Sequence, residues 1–135
     1  EAAKLFYVRA ALEGASAEIA AQTVTQKDIK YMRTLSNKMD EAWEVNDAGI
    51  FLENNFLFHS YIYAMASNTV LERMAENLYI RTGPWLAKGI KNLSGSKAWQ
   101  KSHDGIIDAL SSRDSIMARK LIEEDSGWGK QLYQE

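Results

Sequence analysis

The 135-residue chain has only two histidines, His59 and His103, and both fall where a helical reading places apolar neighbours. His59 shares its face with Leu52, Phe56, Ile62 and Ala66, and Asn55 stands one turn before it, so the two side chains stack on one surface. His103 recurs with Ile106, Ile107 and Leu110 at steps of three, four and seven. Asp125 follows Ala118, Leu121 and Ile122 on the same stripe. An ionised carboxylate aimed at a core is costly unless it is paired or binds a metal. Two imidazoles, a carboxylate and an amide oxygen from three helices could make one site. Neutral imidazole and carboxylate are ordinary ligands for Zn²⁺, Ni²⁺ or Mn²⁺. The plainer reading gives each histidine a backbone carbonyl or hydroxyl and leaves Asp125 solvated near the end of its helix. Spacing alone leads to a helical bundle with a buried polar pocket and leaves both readings open.

Other chemistries lack their motifs. There is no cysteine, which removes disulfides, thiolate metal sites and cysteine nucleophiles. No H-E-x-x-H, E-x-x-H, Walker A, G-x-G-x-x-G or G-x-S-x-G pattern occurs. His103-Asp104, with His59 before and Asp125 after, has the order of the all-helical HD-type metal phosphohydrolases. Helical geometry opposes that rival: Asp104 is about 100° from His103 and falls with Asp108 and Ser111 on the polar face. A helical interaction domain without a ligand is the other alternative, since four tryptophans and six tyrosines offer ample contact surface.

The elements that must carry these residues are helices. Leu5, Val8, Leu12, Ala15 and Ile19 mark an amphipathic first helix over roughly Ala2–Ala21. Thr25 with Asp28 resembles a capping box and opens a second helix to about Val45, striped by Ile29, Met32, Leu35, Met39, Ala42 and Trp43. A third runs from the Asn46-Asp47 cap to about Ala66 and is apolar on almost every side, which predicts a place in the middle of a bundle. A fourth carries Val70, Leu71, Met74 and Leu78, with a kink or division expected at Gly83-Pro84. Leu93–Ser96 reads as a loop, followed by helices over about Lys97–Ser111 and Asp114–Tyr133. No period-2 strand is evident. The expected fold class is all-α, an antiparallel bundle of six or seven helices in a single domain over residues 1–135.

Composition bounds the partners. Apolar residues make up 46% of the chain, enough for a core, and the formal net charge is -2. The sequence pI of about 5.7 and the lack of a Lys/Arg cluster argue against this chain holding nucleic acid by itself. No run approaches ~18 apolar residues, so no membrane span is expected. No signal peptide is visible, and the absence of cysteine fits a reducing cytoplasm. The chain starts at Glu1, already in helical register, and reads as a fragment of something longer.

Arg9-Ala10-Ala11-Leu12-Glu13, Phe58-His59, Ala66-Ser67-Asn68 and the run from Ser102-His103 to Ala109-Leu110 together resemble the FCD ligand-binding domain of GntR-type bacterial transcription regulators. Arg9-Ala10-Ala11-Leu12-Glu13 is similar to the R-x-x-L/V-E motif that opens that domain. Phe58-His59 and Ala66-Ser67-Asn68 resemble its F-H and A-S-G-N, the latter without the glycine. Ser102-His103 through Ala109-Leu110 resembles E-H-x-x-I-x-x-A-I, with serine in place of the glutamate, and Arg113-Asp114 and Ala118 continue the pattern. The resemblance implies a metal site at Asn55, His59, His103 and Asp125. Two of these positions match the family's ligands; Asn55 stands where it has Asp, and Asp125 where it has His. The net ligand charge is conserved by that exchange, with the carboxylate moved across the site. The resemblance implies a divalent transition metal such as Zn or Ni, or, as in other members, no metal. It also implies a small organic acid effector contacted by Arg9 or Arg81, a homodimer, and DNA binding only through an N-terminal winged helix-turn-helix domain absent from this chain. Arg9 has a plainer role too, as the ion-pair partner of Glu13.

Overall fold

The computed structural model describes residues 1–92 and 97–127, and among these every regular element is a helix. They are α1 (Ala2–Thr23), α2 (Gln26–Glu44), α3 (Ala48–Met65), α4 (Thr69–Asn92), α5 (Ala98–Ser111) and α6 (Ser115–Ser126). The expected loop at 93–96 and the expected extension of the last helix to Tyr133 lie outside the described residues.

Side-chain caps fix where the helices begin. Thr25 accepts from the Asp28 N–H at 3.2 Å while the Asp28 carboxylate accepts from the Thr25 N–H at 2.9 Å, a reciprocal capping box. Asp47 starts α3 by accepting from the Ile50 N–H. Asn68 starts α4 through the N–H groups of Val70 and Leu71. Asp114 starts α6 through that of Met117. Three turns contain a residue in the left-handed region, Asn46, Ser67 and Arg113. Pro84 sits inside α4 without dividing it. Pro84 and Ile80 are both exposed, so water can reach the carbonyl that the ring leaves without a donor.

The centre of the bundle is α1, which packs against α3, α4, α5 and α6, while α2 lies outside on α3 and α5. This corrects the expectation for α3. Its buried residues, among them Phe51, Asn55, Phe58, His59, Ile62 and Tyr63, form one face, and Ile50 is exposed. The expected stripe of α1 is corrected as well. Val8 and Ile19 are exposed and Leu5, Leu12 and Ala15 only half-buried. The buried face is instead Phe6, Arg9, Glu13, Ser16, Ala17 and Ala20. Small residues there let neighbouring helices come close. At Gly14 an added Cβ would meet the Glu123 side chain of α6 at 2.8 Å. The core joins that small-residue face to Met32, Leu35 and Met39 of α2, Phe58 and Ile62 of α3, Ile106, Ile107 and Leu110 of α5, and Ile122 of α6.

Asp28 also accepts from the Tyr61 hydroxyl at 2.5 Å, so one carboxylate both caps α2 and ties it to α3. Replacing it by alanine, D28A, should lower unfolding free energy by about 1–2 kcal/mol. Urea denaturation of the variant beside wild type measures this; an unchanged midpoint would mean that the cap adds nothing.

Candidate functional site

A buried cluster of polar side chains lies between α1, α3, α4, α5 and α6. Four helices contribute residues one turn apart on their inner faces: Arg9 and Glu13, then Asn55, His59 and Tyr63, then Tyr79 and Thr82, then Trp99 and His103; α6 adds the consecutive Asp125 and Ser126. All of these are buried except Asp125, which is nearly so. Helical repeat alone aligns such pairs, and the packing of small residues on α1 brings the sets together.

Glu13 is wholly buried at the centre. One oxygen, Oε1, accepts from Arg9 Nε at 3.1 Å and from the Ser126 hydroxyl. The other, Oε2, faces His59 Nδ1 at 2.5 Å and accepts from the Tyr63 hydroxyl. Arg9 is held on its far side by Thr82 Oγ1 at 3.0 Å, and its guanidinium lies over the Tyr79 ring, 4.5 Å from the centroid. The Asn55 amide donates to the Tyr79 hydroxyl.

On its other edge His59 presents Nε2 to Asp125 Oδ2 at 3.1 Å, and His103 Nε2 lies 3.5 Å from the same oxygen. Ser102 donates to Asp125 Oδ1 at 2.8 Å, which fixes the carboxylate. His103 stacks on Phe58 with centroids 4.2 Å apart. Its Nδ1 and the Nε1 of Trp99 are buried with no hydrogen-bond partner. His59, His103 and Asp125 each offer one ligand atom, all within 4.8 Å of one another. Two donors bound at about 2.1 Å with ordinary bond angles are roughly 3.0–3.4 Å apart. The two short separations here are close to that edge length. A metal-binding imidazole usually gives its second nitrogen to a carboxylate, and Glu13 meets that need for His59. The donor set therefore fits a divalent transition ion.

Charges at the site stabilise one another. Burial disfavours the His59 imidazolium, but Glu13 and Asp125 outweigh it and raise its pKa to about 9. Burial also opposes the Glu13 carboxylate, yet Arg9, His59 and the hydrogen bonds from His59 and Ser126 hold it at about 2. Against its own burial, Asp125 is kept well below the usual carboxylate range by His103 and His59. The Tyr63 hydroxyl is pushed upward by burial and by Glu13.

The free space among these groups is about 20 Å³, enough for a single water. Its walls include Arg9, Asn55, His59, His103 and Asp125, with Phe6, Phe51, Leu86 and Trp99 as the apolar part. Of the residues singled out in the sequence, the structure thus gathers Asn55, His59, His103, Asp125 and Arg9. It does not gather Arg81. That residue is exposed and lines a surface depression with Val8, Arg73 and Met74. It stands about 100° around α4 from the inward Thr82, which turns it away from the cavity. Asp104 is likewise exposed, outside the cluster. Sequence reasoning missed the central role of Glu13, and it missed Tyr63, Tyr79, Thr82, Ser102 and Ser126. Glu13 was legible on the Phe6, Arg9, Ala17, Ala20 spacing, as a charge on a face otherwise made of small and aromatic residues.

The fold defines an all-helical domain built around an internal polar site. A family model described as FCD domain matches residues 4–125, and the chain belongs to that family. It is 30% identical over 119 residues to the HTH-type transcriptional regulator McbR of Escherichia coli (strain K12), covering 87% of this chain and 54% of that protein. The chain thus spans about half the length of this curated relative. The structure of E. coli McbR/YncC matches with a TM-score of 0.83 at 22% identity, covering 96% of this chain and 64% of that one. Streptococcus agalactiae GntR matches with a TM-score of 0.77 at 18% identity, over 96% and 58% of the two chains.

The shifted groups set a pH dependence for metal-free protein. Between the unfolded His59 value of 6.5 and its folded value of about 9, the folded chain holds a proton that the unfolded chain has lost. Stability should therefore fall as pH rises through that window, at no more than about 1.4 kcal/mol per pH unit. On the acid side Glu13 reverses the sign, and stability should fall as pH drops from 4.5 towards about 2. Urea unfolding with a chelator present should show a maximum between the two windows. Stability that climbs steadily from neutral to alkaline pH would contradict the charge assignment of His59.

Proposed function

We propose that this chain is the effector-sensing domain of a GntR-type transcription regulator acting in the cytoplasm. In this reading His59, His103 and Asp125, with Asn55 beside them, hold a divalent ion such as Zn²⁺ or Ni²⁺. A small organic acid then binds at the ion, and Arg9 faces the guest from the wall. DNA is reached only through an N-terminal domain outside this chain. The role is binding, not catalysis.

The convergence of two imidazole Nε2 atoms on one Asp125 oxygen, beside an internal space, carries the proposal. When bound, the ion would supply Lewis acidity and open positions for an effector oxygen. The chain's own residues do the rest: Glu13 orients His59, Ser102 orients Asp125, and the aromatic walls keep bulk water out. Room for about one water does not admit an acid, so binding must push the walls apart. A ligand that fits only an expanded bundle shifts the population towards that arrangement, which is the differential affinity a sensor needs. The exposed position of Asp104 weighs against the phosphohydrolase alternative.

One observation favours a metal-free variant of the same reading. His59 already bridges Glu13 and Asp125, so an imidazolium can fill the ion's electrostatic place. Metal analysis of protein purified without an affinity tag separates the two. About one ion per chain in wild type, lost in H59A and H103A, supports the metal site. Metal-free wild type whose melting is indifferent to added Zn²⁺ or Ni²⁺ removes it. Leu86 is buried in the cavity wall, so L86A should create space in advance. It should destabilise the domain by about 2–5 kcal/mol. It should also tighten binding of small carboxylates in calorimetry; unchanged or weaker binding would mean that wall expansion is not what limits entry.

A homodimer belongs to the proposal as well. Val8 of α1 and Met74 of α4 are exposed apolar residues on adjoining helices, lining one surface depression. A second copy of the chain is the occupant proposed here. Sedimentation should show a dimer in wild type and a monomer in the V8D/M74D variant; a monomeric wild type would remove the dimer.

A further inference from the structure

The two unpartnered nitrogens on α5 say something about the guest. Trp99 Nε1 and His103 Nδ1 belong to residues one helical turn apart, both lining the internal cavity. Buried N–H groups in folded proteins are almost always paired, because leaving one without an acceptor forfeits its hydration. Facing the Asp125 carboxylate alone, a neutral His103 would keep its proton on Nε2; with an ion on Nε2, as in the reading above, the proton sits on Nδ1, which is then a donor. An indole N–H can only donate. In the ion-bound form two donors one helical turn apart thus await acceptor oxygens; without the ion the indole N–H still does.

These rings are locked in place before any guest arrives. Trp99 packs edge-on against Phe51 at 4.9 Å and lies 5.8 Å from both Trp43 and His103. His103 is held flat against Phe58. A donor fixed in advance loses little freedom when it binds. Arg9 and Asn55 also bring donors to the cavity wall, although Arg9 Nε and Nη1 are already committed to Glu13 and Thr82 and the Asn55 amide to Tyr79.

We propose that Trp99 is a ligand-recognition residue, whose indole N–H, beside the Nδ1–H of His103, receives an oxygen of the guest carboxylate. The inference rests on the effector reading above and deepens it. It restricts the guest to compounds that offer acceptor oxygens towards α5 as well as towards the ion site. A guest bearing an N–H or ammonium group on that side would leave donors facing donors and is excluded.

The test uses the chain as purified, supplied with Zn²⁺ and labelled with ¹⁵N-tryptophan, titrated with acetate, lactate and citrate. Wild type should bind at least one of these acids in calorimetry. W99F keeps an aromatic ring and loses the donor; it should bind that acid about tenfold more weakly while taking up the same amount of zinc. In the wild-type spectrum the Trp99 indole proton, assigned through its own ring protons, should move downfield as the acid is added. This second readout stands even where W99F folds poorly. Acid binding with an unmoved Trp99 resonance, or equal affinity in a folded W99F, overturns the assignment and leaves the sensor reading intact. Zinc uptake without binding of any of the acids overturns both.

Discussion

Everything in this domain is arranged around one buried carboxylate. Glu13 has no exposure, and an ionised group in that position is tolerable only if donors surround it. They come from Arg9 on its own helix, from His59 and Tyr63 on α3, and from Ser126 on α6. The pairing is consequential in both directions. The donors make the charge tolerable, and the charge fixes which edge of His59 faces the cavity. With Nδ1 engaged by Glu13, only Nε2 is left to meet Asp125. Thus a constraint that looks structural, the satisfaction of a core acid on α1, sets the geometry of the site on the three helices around it.

The same constraint accounts for the unusual inner face of α1. A helix surrounded by four others would be expected to bury large apolar residues. Beyond Phe6 near its start, that face is Arg9, Glu13, Ser16, Ala17 and Ala20, small or charged. Small side chains bring the neighbouring backbones near enough for Tyr63 and Ser126 to reach the carboxylate. Large ones would have filled the cavity and separated α6 from α3. Bulk is supplied from outside instead, by the aromatic rings of α3 and α5 and by the aliphatic residues of α2. The cavity is the remainder left between a thin central helix and the polar ends of side chains that cannot collapse onto each other without stranding a charge.

Much of this was legible in the sequence, and the failures have physical causes. Helical repeat placed His59, His103 and Asp125 on inward faces, and they do converge. The reciprocal cap at Thr25 and Asp28 was readable because it depends on four consecutive residues. On α1 the rule that periodic apolar residues face the core chose the wrong side. Val8 and Ile19 are periodic and exposed, because hydrophobic spacing does not say whether the surface it marks is covered within the chain. The Arg9–Glu13 ion pair was readable from its spacing of four and is present, but spacing could not show that it lies buried or that Glu13 gathers further donors from two other helices. Arg81 shows how sharp the angular limit is: one residue away from inward Thr82, it sits on the outside. No local pattern could have placed Tyr63, Tyr79 and Ser126, since their roles depend on how far apart three helices pack.

The charges of the cluster also bear on what such a site attracts. With His59 protonated, its positive charge and that of Arg9 balance the carboxylates of Glu13 and Asp125, and the interior is neutral if His103 is uncharged. A divalent ion in place of the His59 proton changes this. Two positive charges replace one, and the closed interior carries an excess of one positive charge. An uncompensated charge there is far more costly than one in water. A monocarboxylate would cancel it, with oxygens that both such an ion and the Trp99 indole N–H could use. Proton-filled and ion-filled forms of one cavity would then differ in their demand for an anion. On that reasoning an ion would be more than an anchor for an acid: it would create the excess positive charge that favours opening the wall to admit one.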